Sequence, residues 1–246
     1  MKSILIPFLA LWSSTAFAGE KLALPTAYTN REIEGWKVRI DDRLLKDEGA
    51  VLGKRALRLL TAKLVDITSV VPEKALSKLQ NVTIELDLDY GGLTPMQYHN
   101  DASWLKDHGY NENLARCVHI PVAQDFLSTF DIRRMPWVIL HELSHAYHDQ
   151  VLGYEEPRIK AAWKNFCDSG KYKSVLTSMG YTHEHYGLTN QMEFFAEMTE
   201  SYFGSNDFYP FVAGELKQAE PEIFALMEEI WGPFPKRDDK PVASKP

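Results

Sequence analysis

The segment WVILHELSHAYHDQ, residues 137–150, constrains the chain more than any other, because it asks for a buried helix that carries polar groups on one face. Residues four apart on an α-helix stand one turn above each other. His141 and His145 therefore leave the same face and can grip one divalent ion from two sides. Glu142 lies about 100° further round, where it can take a proton from a water beside such an ion. Val138, Ile139, Leu140 and Leu143 supply an apolar face, and Pro136 sits where the first turn should begin. The same five residues also fit a surface helix with solvated histidines, so the rest of the chain has to decide.

Residues 186–200, YGLTNQMEFFAEMTE, supply a complement. Asn190 is a candidate N-cap, after which Glu193, Glu197 and Glu200 fall on one helix face. Three stacked carboxylates repel. Phe194, Phe195 and Met198 lie between them and Tyr202 and Phe203 just beyond, marking a helix packed into the core, so at least one carboxylate is expected to be partly buried and to need a cation. A divalent ion already held by two histidines meets that need, and His, His and Glu is a common catalytic zinc set. Spacing alone does not choose between Glu193 and Glu197 as third ligand, and an acidic solvated face is the plain alternative. His183 and His185, in the loop before Tyr186, compete for the same position. His148, one turn beyond His145, would give three nearly collinear histidines that cannot close round one ion, and is expected behind the ligands or in solvent.

The pairing of HELSHAYHD with YGLTNQMEFFAEM resembles the catalytic domain of the anthrax lethal factor-like gluzincin zinc metallopeptidases, over residues 137–203. The resemblance implies Zn2+ held by His141, His145 and Glu193, with Glu142 as general base. It also implies Tyr186, seven residues before the third ligand, as an assisting group, and Glu197 as a partner behind the ligands. The implied fold is α+β and zincin-like: a small mixed sheet with one helix over it, an active-site helix, then a helical C-terminal lobe. The large recognition domains of the toxin have no counterpart here, so its substrate does not carry over. The long metzincin pattern fits less well, since it wants a glycine and a histidine where this chain has His148 and Val151.

The remainder frames that site. Residues 1–18 have one lysine, a short apolar run and a closing Ala16-Phe17-Ala18, the pattern of a secretory signal peptide, so export to the periplasm or medium is expected. No later run is long enough for a membrane helix. A net charge of −7 gives no sign of a nucleic-acid partner. Residues 19–232 are expected to form one domain, α/β over 19–132 and helical over 133–232, with a flexible tail at 233–246 rich in proline and charge. Cys117 and Cys167 lie in the exported portion, and a disulfide between them is the expectation.

Residues 19–35 read as loop, 36–40 and 82–88 as strands by alternation, and 117–121 as a short strand. Leu57, Leu60, Leu64 and Ile67 make one helix face, stopped by Pro72. Residues 98–113 show no clean period and read as a long loop whose histidines, His99 and His108, are solvated. Pro157 opens a further helix, and 171–179 reads as another. The function expected from all this is a peptidase acting on peptide or protein substrates through a zinc-activated water. Its alternatives are a zinc hydrolase of a non-protein amide, such as a cell-wall linkage, or an idle fold kept as a binding module.

Overall fold

A computed structural model describes residues 24–233. The expected signal segment, and the expected tail apart from Pro233, lie outside those residues. Trp36, Val38 and Ile40 alternate with Lys37 and Arg39 in strand β2 (Trp36–Asp41), and the apolar set is fully buried. β2 runs parallel to β3 (Thr83–Leu86), which runs parallel to β5 (Cys117–Ile120). The edges are antiparallel: β1 (Tyr28–Ile33) flanks β2 and β4 (Gln97–Tyr98) flanks β5, giving the order β1-β2-β3-β5-β4. The small mixed sheet is therefore present.

β1 corrects the expectation of loop over residues 28–33, while residues 19–23 lie outside the described residues. Its residues, YTNREI, are half-buried or exposed along an edge, so they carry no apolar alternation to read. Glu34 and Gly35, both at positive φ, turn the chain into β2.

Helix α1 (Ala50–Val70) lays Ala56, Leu60, Leu64 and Ile67 into one core with Val38, Ile40, Ile84, Leu86, Val118 and Ile120 of the sheet. Each such side chain contributes roughly 1.5–3 kcal/mol when fully buried. Gly53 lets the first turns of α1 press on the preceding turn, since a Cβ there would come within 1.9 Å of the Leu44 carbonyl oxygen. Pro72 ends this helix and opens α2 (Glu73–Leu79).

Residues 98–113 are not a loop. Beyond β4 they form α3 (Ala102–Asp107), started by Asp101 accepting from the amides of Ser103 and Trp104. Tyr90, Leu93, Leu105 and Leu114 make a second, small core beneath this segment. His108 is exposed as expected, whereas His99 is buried.

The second half is helical: α4 (Ala123–Phe126), α5 (Thr129–Arg134), α6 (Val138–Tyr147) with a π-helical turn after it, and α7 (Pro157–Asp168). Residues 171–179 depart from the expected helix. Gly170, at φ +65°, stops α7, and a single 3-10 turn leads into β6 (Val175–Leu176), paired with β7 (Thr182–His183). α8 (Gln191–Phe203), α9 (Ala213–Ala219) and α10 (Pro221–Trp231) complete the lobe. Gly204 closes α8 against the start of α6, for a Cβ there would meet the Trp137 indole at 2.0 Å. One apolar cluster joins the sheet, α1, α6, α8 and α10, so the two halves share a core.

The expected disulfide is absent: Cys117 and Cys167 are free. Cys117 sits on β5, its thiol donating to the carbonyls of Asn113 and Ala115, while Cys167 lies half-buried near the end of α7. The two cysteines belong to different parts of the fold, and proximity of that kind is not set by sequence. Among the described residues no helix is long and apolar enough to cross a membrane.

Candidate metal centre

α6 turns His141 and His145 the same way, their rings edge to face with centroids 4.8 Å apart. α8 packs across α6 and is started by Asn190, whose side chain accepts from the amides of Met192 and Glu193 at 2.8 and 2.9 Å. That cap fixes the first turn, and Glu193 on it meets both histidines. Its Oε2 lies 3.2 Å from His141 Nε2 and 3.3 Å from His145 Nε2. Ligands of a tetrahedral ion bound at roughly 2.0–2.1 Å stand about 3.3 Å apart, so Glu193 stands from each histidine as two ligands of one ion would, and all three donors lie within 4.8 Å of one another. Burial disfavours a charge on His141, yet hydrogen bonds to Glu193 and Glu200 hold its ring well above the ordinary histidine value. Against the same upward push of burial, hydrogen bonds from His141 and His145 hold Glu193 well below the usual carboxylate range.

The outer nitrogen of His141 is engaged by Glu200 rather than Glu197. Nδ1 lies 2.7 Å from Glu200 Oε1 and 3.7 Å from Glu197 Oε1. Both glutamates are buried, and one oxygen of each, Oε2, has no hydrogen-bond partner. Burial, then Asp207 and Glu200, push the Glu197 carboxyl well above its ordinary value. Asp207, brought in by the turn after α8, is itself raised to about 7 by burial and Glu200. In this geometry Glu200, rather than the expected Glu197, stands within hydrogen-bond distance of Nδ1, because the way α8 lies across α6 brings the later turn there.

Glu142 is buried beside the histidines and accepts at Oε2 from the backbone N–H of Tyr98, 2.7 Å away. Burial pushes its carboxyl upward. Tyr98 is a site residue that sequence reasoning missed. Its hydroxyl also donates to Asp149 Oδ2 at 2.7 Å and accepts from Gln150 Nε2 at 2.9 Å, so β4 is clasped to the middle of α6 and to the π-helical turn that follows it.

Tyr186 lies on a 3-10 turn started by His185, whose Nδ1 accepts from Gly187 N–H at 3.0 Å. Its ring is half exposed, with its centroid 6.5 Å from that of His141. The rival histidines are not brought to the centre: His183 is exposed, and His185 is buried against Phe166, Tyr172 and Phe208. His148 is fully buried against Tyr154 and Phe195, with neither ring nitrogen hydrogen-bonded. A cavity of about 550 Å³ adjoins the centre, with Met96, Ile132, Met135 and Val138 on its walls and Glu142 and Tyr186 on its lining. Comparison of the chain with protein-family models, with curated proteins and with solved structures finds no match.

Proposed function

We propose that this protein is an exported, zinc-dependent peptidase with a zincin-like fold, acting at the His141, His145 and Glu193 centre. The observation that carries the reading is the meeting of His141, His145 and Glu193 within 4.8 Å of one another beside one buried carboxylate, Glu142, that lines a cavity. Zinc held there supplies Lewis acidity, which eases proton loss from a water and polarises a substrate carbonyl.

The chain's own groups do the rest. Glu142, held in place by the Tyr98 N–H and raised by burial, takes a proton from the attacking water and later passes it to the leaving amine. Tyr186 stands at the cavity with its hydroxyl available to the oxygen on which charge develops. Glu200 holds the His141 ring by Nδ1, so that Nε2 stays turned toward Glu193 and the ion. The apolar walls of the cavity seat a substrate side chain and keep bulk water from the reacting bond.

The test is a peptide-library and casein assay on the zinc-loaded protein, run beside a cell-wall digest. Peptide cleavage that is lost in Glu193→Ala together with zinc supports the reading. Cleavage of cell-wall amides alone would move the substrate to the non-protein class, and zinc binding without any turnover would make the centre a binding site only.

A further inference from the structure

The face of the sheet turned away from α1 carries charge where a one-sided sheet would meet water. Arg39 on β2, Glu85 on β3 and His119 on β5 stand in register across three parallel strands, with Asp41 and Asp87 at the strand ends. Residues 88–116 fold over this face, and Asp41, Glu85, Asp87 and His119 are almost wholly buried beneath them. Tyr90 sets its ring edge to face on His119, with centroids 4.8 Å apart.

The charges do not balance. Arg39 pairs with Glu85, which also accepts from the Tyr28 hydroxyl at 3.0 Å. Arg43 bridges Asp41 and Asp89. Asp87 has no guanidinium. Its Oδ2 lies 2.7 Å from His119 Nε2, and its Oδ1, fully buried, has no hydrogen-bond partner. His119 Nδ1 in turn meets His99 Nε2 at 3.2 Å. Four carboxylates, Asp41, Glu85, Asp87 and Asp89, thus face two guanidiniums, and the fully buried Asp87 is the one left without either. A divalent cation between Glu85, Asp87 and His119 supplies the missing partner.

We propose that Glu85, Asp87 and His119 bind a second divalent transition-metal ion, on the opposite face of the sheet from His141, which fastens residues 88–116 to the strands. Their ligand atoms all lie within 4.8 Å of one another. Two carboxylates and an imidazole suit zinc or manganese. The ion gives the buried Asp87 Oδ1 the partner it otherwise lacks. His99, against His119, follows Tyr98 directly in the chain, so the ion steadies β4 and through it the Tyr98 N–H on Glu142.

The test is zinc stoichiometry by elemental analysis after equilibrium dialysis, on the whole protein. The parent is expected to hold two ions, Glu193→Ala one, Asp87→Asn or His119→Gln one, and the Glu193→Ala/Asp87→Asn pair none. Hydrogen exchange of β4 and α3 in Glu193→Ala should slow up to about a hundredfold when zinc exceeds its Kd a hundredfold, since opening must release the ion. A folded Glu193→Ala protein that binds no zinc overturns the inference, even if Asp87→Asn fails to fold. One ion that is lost with Asp87→Asn but kept with Glu193→Ala sustains it and instead removes the peptidase reading.

Discussion

Nδ1 of His141 stands 2.7 Å from Oε1 of Glu200 and 3.7 Å from Oε1 of Glu197, so the first of the two candidate ligand histidines is braced from the last turn of α8. Glu200→Ala should weaken zinc binding by about 10–100-fold, the usual effect of removing a partner behind a ligand, and Glu197→Ala by less. Competition with a chromophoric chelator measures both. Equal losses, or a larger one at Glu197, would reassign the brace.

Glu142→Gln leaves the His141, His145 and Glu193 donors intact and keeps an oxygen for the Tyr98 N–H. Zinc affinity should stay near the parent's while peptide turnover falls by about 10²–10⁴-fold, the range for losing a general base. Parent-like turnover would exclude Glu142 as the proton acceptor.

Burial pushes His99, His119 and His148 down to about 4 and His185 to about 3. An unfolded chain takes up these protons near pH 6.5, whereas the folded chain resists them, so stability should fall as pH drops from 6.5 through 4. His148 offers the cleanest single test because neither of its nitrogens has a partner to lose. His148→Leu should be neutral or stabilising by about 1 kcal/mol at neutral pH and should flatten Tm against pH below 6.5. Parallel curves for variant and parent would show that this ring does not contribute.

The thiols should differ in reactivity. Burial pushes Cys117 up to about 11, while Cys167 is only half-buried. An alkylating agent should mark Cys167 alone in the folded protein and both residues after unfolding without reductant, read by peptide mass. Protection of both in denaturant would restore the disulfide.

The legible parts of the chain are those where one element carries its own signal. Leu60, Leu64 and Ile67 repeat on one helix face, Asn190 caps α8, and Val38 and Ile40 alternate in β2; each was readable locally. The convergence of His141, His145 and Glu193 followed from two such helices together with the resemblance. What escaped depends on contacts between distant segments. β1 is a polar edge strand, β4 has two residues, and Tyr98 and Asp207 reach the centre from stretches with no periodicity of their own. Glu197 and Glu200 differ by less than one turn, and only the packing of α8 on α6 decides which of them meets the imidazole.

The bond between Glu142 and Tyr98 has a consequence outside catalysis. β4 is the last strand of the sheet, and His99 spends its N–H and C=O on Cys117 and Arg116 of the inner neighbour. The Tyr98 N–H therefore points outward, where an open sheet would recruit a strand from another molecule. A carboxylate stands there instead, accepting that hydrogen and placing an oxygen where a foreign carbonyl would dock. The group proposed to move the proton also caps the outer border of the sheet, which favours a chain that stays dispersed rather than one that stacks edge to edge.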